Sequence, residues 1–447
     1  MRRTVLALFV LAGLFVPPDA PADLLPAPPS VDRLPNGLQV VTIPWDSPGI
    51  VAYFTLARVG SRDEAEAGHS GFAHLFEHMM FRGTERFPHD RYEALIQEMG
   101  ADNNAFTTDD FTLYTVTLPK VVLPQLVEIE ADRFQRLSYT EDVFKTETGA
   151  VLGEYNKSAS DPYLKMSEAL SEVAFTKHTY AHTTIGYLRD IQAMPGYYEY
   201  SKQFFRRFYT PDDCTVIVAG DVTRDEVLGL VRQHYSGWRG RRANARIQAE
   251  PPQTAPRNRH VEWDGQSPPR MFVGYKIPAF AADLKETAAL QIIHELSFGS
   301  SSDLYQRLVV REQKLLDLGS WKEDFHRDAQ LFVVDVKLKP GGSFEEIQSA
   351  ITAEMTRVAA GEVPSQRIAD VQSHLRYSFQ MRLETPSDVA GQIGQFMAMT
   401  GDVATADGYL AALAAVTPED VARVARQYLT EARRTTITLA PRAGGAQ

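Results

Sequence analysis

The segment GFAHLFEHMMFRGT, Gly71 to Thr84, places three polar groups among Phe, Leu and Met. His74 and His78 are four residues apart, with Glu77 between them. On an α-helix each residue advances by about 100°, so the two imidazoles stand one turn apart and about 40° apart in direction. Two imidazoles so placed can grip one zinc ion. Glu77, beside that face, can reach water at the metal without being a ligand.

The order H-x-x-E-H reverses the H-E-x-x-H zinc motif and is the inverzincin pattern. A hydrolytic zinc site needs a third protein ligand and an open fourth position for water. In EDVFKTETGAVLGEYNK (141–157), Glu147 and Glu154 are seven residues apart. On a helix that spacing puts them about 20° apart in direction. The same helix would bury Val143, Phe144, Val151 and Leu152. Taken alone, Glu147 reads as part of a solvated acidic stripe.

Around these residues the pattern alternates between strand and helix. LPNGLQVVTIP (34–44), IVAYFTLARVG (50–60) and FTLYTVTLP (111–119) are β-branched or aromatic runs bounded by turn residues, so they read as strands. Residues 71–99, 121–137 and 141–157 have helical periodicity. TVIVAGDV (215–222) reads as a buried strand, and Thr223 with Glu226 then opens a helix with a capping pattern. Cys214, the single cysteine, precedes that strand and reads as a core thiol.

The length of 447 residues asks for about two or three domains. Residues 239–260 are rich in Arg, Pro and Ala and read as a linker. The second half replays the first weakly: RMFVGYKIP leads into a helix, AQLFVVDVKLKPG alternates like FTLYTVTLP, and RQYLTEARRTTITLAP echoes RRFYTPDDCTVIVAG. The expectation is α+β, with two related domains at 23–238 and 261–447, each a mostly antiparallel sheet with helices packed on it.

The net charge of -11, at 44% hydrophobic and 23% charged residues, excludes a nucleic-acid binder and fits an ordinary globular chain. Residues 1–22 read as a secretory signal peptide: Arg2 and Arg3, then the apolar run Thr4 to Val16, then Ala20-Pro21-Ala22. The apolar run is shorter than the ~20 residues that span a bilayer, so no membrane insertion is expected after cleavage. A periplasmic or secreted location follows.

On several separate pieces the chain resembles the pitrilysin family of zinc metallopeptidases, which includes insulin-degrading enzyme and mitochondrial processing peptidase. LPNGLQVV looks like its opening strand, GFAHLFEHMMFRGT like its motif helix, and GADNNAFTTDDFTLY like the segment that carries Asn-Ala-x-Thr. Glu154 lies 76 residues after His78, as the family's third ligand does, and Glu147 falls where the family has a supporting glutamate. The resemblance implies one zinc per chain held by His74, His78 and Glu154, with Glu77 as general base and Glu147 assisting. It implies that Asn104 and Ala105 lie on a strand edge that holds the backbone of a peptide substrate; the residues alone read NNAF as a turn.

Active members also present an Arg and, seven residues on, a Tyr from the C-terminal domain. Here Arg311 matches the Arg, but Leu318 stands at the Tyr position and Tyr305 lies on the wrong side. Taken alone, Arg311 reads equally as a surface charge on a helix. The expectation is therefore a zinc-bearing endopeptidase subunit that pairs with a related chain carrying the Arg/Tyr pair, with a homodimer as the alternative. A non-catalytic binding or assembly subunit is the competing class, and retention of all four motif residues argues against it. His69 sits about 140° off the metal face. His178 and His182 read as surface or turn residues, and Trp238, Trp263 and Trp321 as core.

Overall fold

A computed structural model of the chain describes Leu25, residues 28–321 and residues 325–442. The expected signal peptide lies outside the described residues. Among the described residues, no helix is long and apolar enough to cross a membrane.

Two mixed sheets are built from the alternating runs. The first contains β1 (Ser30–Arg33), β2 (Gln39–Pro44), β3 (Ile50–Ala57), β4 (Asp102–Thr107), β5 (Thr112–Pro119) and β6 (Cys214–Gly220) in the order β1-β2-β6-β3-β5-β4. The second contains β7 (Arg257–Trp263), β8 (Arg270–Ile277), β9 (Leu315–Ser320), β10 (Gln330–Leu338) and β11 (Arg434–Pro441) in the order β7-β11-β8-β10-β9. The repeat is plain in this order. β2-β6-β3-β5-β4 corresponds to β7-β11-β8-β10-β9, with the parallel pair in the same place, β2 beside β6 and β7 beside β11. The remaining pairs are antiparallel. β7 starts at Arg257, within the span whose composition reads as a linker.

The first sheet is apolar on both faces because alternate residues point opposite ways. Val51, Tyr53 and Ala57 of β3 face one core; Ala52, Phe54 and Leu56 face another. The first of these cores is covered by helices of the same half, among them α1 (Phe72–Met79), α2 (His89–Glu98), α3 (Leu123–Arg136) and α4 (Glu141–Ser158). The other is covered from the C-terminal half: the helix Pro386–Thr400 lays Val389, Ala390, Ile393 and Met397 into the core that holds Phe54, Leu113 and Ile217. Arg58 Nε, next to β3, donates to the Ala398 carbonyl at 3.0 Å and so satisfies an orphan acceptor at that helix's end. The exchange is mutual. α5 (Pro162–Ala174), from the N-terminal half, packs Met166, Ala169 and Leu170 onto Phe272, Leu331, Val333, Ile437 and Leu439 of the second sheet.

Candidate metal centre

α1 is a short amphipathic helix. Phe72, Ala73, Leu75, Phe76 and Met79 are buried, which leaves His74, Glu77 and His78 on the open side. Its start is built with care. Gly71 takes φ 90°, and a Cβ there would sit 2.7 Å from the Ile185 carbonyl oxygen, so only glycine fits. The buried Glu64 accepts from Gly71 N and Ala73 N, each at 2.7 Å, and thus satisfies N–H groups that the helix cannot. Burial pushes the Glu64 carboxyl up, and those two N–H bonds oppose the shift.

α4 lies against α1 and buries Phe144, Glu147, Thr148, Val151 and Tyr155. Glu154, two turns beyond Glu147, stays exposed at its surface. His74 Nε2 is 3.3 Å from Glu154 Oε2, and His78 Nε2 is 3.5 Å from Glu154 Oε1. One ligand atom from each of the three lies within 4.8 Å of the others. Donors about 2.1 Å from a tetrahedral zinc are about 3.4 Å apart, and both imidazole-to-carboxylate distances match that spacing. Among the described residues it is the one group of this kind.

The electrostatics match that use. Burial, and then the neighbouring His78, hold His74 down at about 4, so its imidazole is neutral and free to ligate. Burial works to lower His78, but its contact with Glu147 and the charges of Glu154 and Glu77 outweigh it and raise the group. Burial raises Glu77 above the usual carboxylate range, opposed by a hydrogen bond from Thr107 and by His78. A carboxylate so raised is a better proton acceptor.

Glu147 is no part of a solvated stripe. It is 3% exposed and ion-paired with Arg82, with Nε at 2.9 Å and Nη2 at 3.1 Å from its two oxygens. Its Oε2 lies 3.7 Å from His78 Nδ1, on the far side of that ring from Glu154. His89 continues the chain. Its Nδ1 lies 2.8 Å from the Phe81 carbonyl oxygen and must donate to it, which leaves Nε2, 3.3 Å from Arg82 Nη1, to accept.

β4 closes the site from the sheet. Thr107 Oγ1 donates to Glu77 Oε2 at 2.7 Å, which fixes the carboxylate toward the cluster. Asn104 and Ala105 are strand residues rather than a turn; Ala105 is buried, and its N–H donates to Asn104 Oδ1 at 2.9 Å. Among the described residues β4 pairs with β5 alone and is the outer strand of its sheet. Thus His74, Glu77, His78, Glu147 and Glu154 come together, with Asn104 and Ala105 on the adjacent edge.

Arg311 does not join them. It ends a π-turn, Gln306–Arg311, in the C-terminal half, exposed, with Nε 3.4 Å from the Gln306 carbonyl oxygen. Leu318 lies in β9 and is buried in the core that the second half shares with the first sheet. His69 stacks on Tyr200, with ring centroids 4.0 Å apart, away from the cluster. The surface reading of His178 and His182 is corrected: both cap the turn Thr179–Ala181 but are buried, and His178 Nε2 is 3.0 Å from Asp328 of the other half. Cys214 and Trp238 are core, while Trp263 and Trp321 pack partly buried beneath α5. Arg82, His89, Thr107 and Glu64 were not singled out by sequence. Thr107 alone carried a signal, as the Thr of the Asn-Ala-x-Thr segment and as a residue two past Ala105 on the same face of a strand.

Known proteins are similar to this chain in sequence and in fold. Residues 52–187 match the family described as Insulinase (Peptidase family M16), and residues 198–375 match the Peptidase M16 inactive domain. The chain is 28% identical over 415 residues to a zinc protease, PqqE, of Helicobacter pylori, covering 91% of this chain and 92% of that one. A protease from Helicobacter pylori has a crystal structure that superposes with a TM-score of 0.87 at 27% identity, covering 93% and 99% of the two chains. A probable mitochondrial-processing peptidase subunit beta of Arabidopsis thaliana is 23% identical, covering 91% of this chain and 77% of that one. The chain therefore belongs to the insulinase family of peptidases, whose members include zinc proteases.

Proposed function

We propose that the chain is a zinc-dependent endopeptidase acting on peptides or small unfolded proteins, and that it is the zinc-bearing subunit of a pair. The observation that carries this reading is the convergence of His74 Nε2 and His78 Nε2 on Glu154 at 3.3 and 3.5 Å, with Glu77 beside them. When bound, zinc would supply Lewis acidity toward the scissile carbonyl and acidify water.

The chain's own residues do the rest. Glu77 accepts the proton of the attacking water and returns it to the leaving amine. Thr107 holds Glu77 in place. Glu147, neutralised by Arg82, orients His78 from the side away from Glu154. The outer edge of β4, at Asn104 and Ala105, takes the substrate as an added strand; main-chain hydrogen bonds make that mode tolerant of sequence. Leu318 leaves the chain without the Tyr that the family resemblance implies, which supports a related partner bearing the Arg/Tyr pair over a homodimer. The N-terminal 22 residues support export to the periplasm or beyond.

The test is hydrolysis of a pool of quenched fluorescent peptides by the mature chain and by Glu77→Gln, both loaded with zinc. Cleavage that falls about 10³-fold in the variant, at unchanged zinc content, supports the reading. Cleavage unaffected by Glu77→Gln rejects it. Silence from both, relieved by an Arg/Tyr-bearing relative, supports the paired form; silence that persists supports a binding or assembly role.

A further inference from the structure

The turn before α1 has a property that the catalytic reading does not use. Three consecutive residues, Arg62, Asp63 and Glu64, reach three different parts of the molecule. Glu64 holds the start of α1 through Gly71 N and Ala73 N. Asp63, wholly buried, accepts from Arg242 Nη2 at 2.6 Å, and Arg242 belongs to the connecting segment. Arg62 Nε donates to Asp328 Oδ2 at 2.5 Å, and Asp328 belongs to the C-terminal half.

The turn cannot shift without disturbing all three. Gly60 starts it so close to the β4–β5 turn that a Cβ would lie 2.4 Å from the Asp109 carbonyl oxygen. Arg62 N donates to that same oxygen at 2.7 Å, and Ser61 Oγ donates to Asp109 Oδ1 at 2.9 Å. On the other side the C-terminal segment 326–328 is locked in. Asp110 Oδ2 lies 3.1 Å from His326 Nδ1 and accepts from Arg327 N at 3.2 Å, while Asp110 Oδ1 accepts from Tyr180 OH at 2.7 Å. Asp328 is shared by Arg62 and His178.

We propose that the turn Ser61–Glu64 is a positioning element through which the C-terminal half, by Asp328, sets the register of the metal helix. Arg62 and Glu64 are positioning residues, not catalytic ones, because neither touches the cluster. A helix of eight residues has little rigidity of its own, so the direction of α1 is set by what holds its first turn. His74 lies one residue beyond Ala73, whose N–H Glu64 binds. His74, in the first turn of α1, lies 3.3 Å from Glu154 on the separate helix α4, so a shift of that turn changes this distance. The C-terminal half thereby contributes to zinc affinity without supplying a ligand. This inference rests on the zinc peptidase reading.

Zinc affinity, measured by competition with a chelator, tests it without any need for turnover or a partner chain. Glu64→Gln, which keeps the shape but offers an N–H group to one of the two helix donors, is expected to weaken zinc about 10-fold. Asp328→Asn, remote from the metal, is expected to weaken it about 3-fold, and so is Arg62→Gln. The double variant Arg62→Gln/Asp328→Asn should be no weaker than either single one. Ser387→Ala removes a different contact between the halves, the Thr117–Ser387 hydroxyl pair at 2.5 Å, and should leave zinc affinity unchanged. The proposal is overturned if folded Asp328→Asn binds zinc like wild type, or if Ser387→Ala weakens zinc as much as Asp328→Asn does. A wild-type chain that binds no zinc would remove the peptidase reading itself, and this inference with it.

Discussion

α1 and the helix Leu284–Phe298 hold the same place in the two halves. Each follows the third strand of the shared five-strand order, β3 or β8, and precedes the outer strand, β4 or β9. Each carries three polar groups at i, i+3 and i+4: His74, Glu77 and His78 in one, Gln291, His294 and Glu295 in the other. Their surroundings differ completely. In α1 the polar face opens toward Glu154 across α4. In the second helix every residue from Thr287 to Phe298 is buried, and the His294 ring stacks on Phe332 with centroids 3.8 Å apart. Spacing makes a site only where a second helix brings a carboxylate and the face is left accessible. A helix buried all round has spent the same positions on packing.

The largest expected effect comes from making one helix resemble the other. His74→Gln gives α1 the residue found at 291, and zinc bound per chain should fall from one to none, as read by metal analysis after dialysis. Gln291→Ala, its counterpart, should leave zinc unchanged. Loss of zinc from the second substitution would break the comparison.

That difference between the helices was only partly legible in the sequence. His74, Glu77 and His78 could be read because helical geometry alone brings residues four apart together. The helix at 141–157 offers Glu147 and Glu154 seven residues apart, but its pattern does not say which of them meets α1; only the family resemblance, through the spacing of 76 residues from His78, points to Glu154. The burial of Glu147 could not be read, because it depends on Arg82 arriving from the turn after α1. Nor could the roles of Glu64 and His178, since their partners sit in the first turn of α1 and in the other half. Strands with long alternating runs, β3, β5, β8 and β10, were plain. β9 was hidden behind the helical look of DLYQRLVVREQ, and β7 inside a segment whose Arg and Pro read as linker. An apolar helix face announces that it is covered, not by what, so the exchange of α5 and Pro386–Thr400 between the sheets left no trace in pattern.

Two further substitutions sharpen what surrounds α1 and not its counterpart. Glu147→Gln keeps the volume but leaves Arg82 facing a neutral amide and His78 Nδ1 without its carboxylate. Zinc affinity should fall about 10- to 100-fold, measured by chelator competition, with the fold retained. Thr107→Val keeps the shape and deletes the hydrogen bond to Glu77. A bond to a charged acceptor contributes about 1.5–3 kcal/mol, so kcat should fall about 10- to 100-fold with KM little changed. An equal change in KM would instead assign Thr107 to substrate binding.

The smallest effect expected is on stability, and it tests the joint that the two halves share. Hydrogen bonding from His178 and the Arg62 charge hold Asp328 well below the usual carboxylate range. Burial pushes Asp110 the other way, but its bonds from His326, Tyr180 and Arg327 N outweigh it, so it too is lowered. A carboxyl that is lower in the folded chain than its unfolded value of about 3.9 stabilises the fold above that pH, and the gain is lost as pH falls through the folded value. Asp213 has the opposite sign. Burial pushes it up to about 7 despite Arg242, so its share is present below about pH 4 and lost as pH rises toward 7. Wild-type Tm should therefore drop between about pH 4 and 2 by a few degrees more than that of Asp328→Asn, whereas Asp213→Asn should flatten the curve between about pH 4 and 7 instead. Parallel curves for wild type and Asp328→Asn below pH 4 would mean that Asp328 carries no charge-dependent share of the joint, which would leave that share to Asp110 with His326 and Arg327.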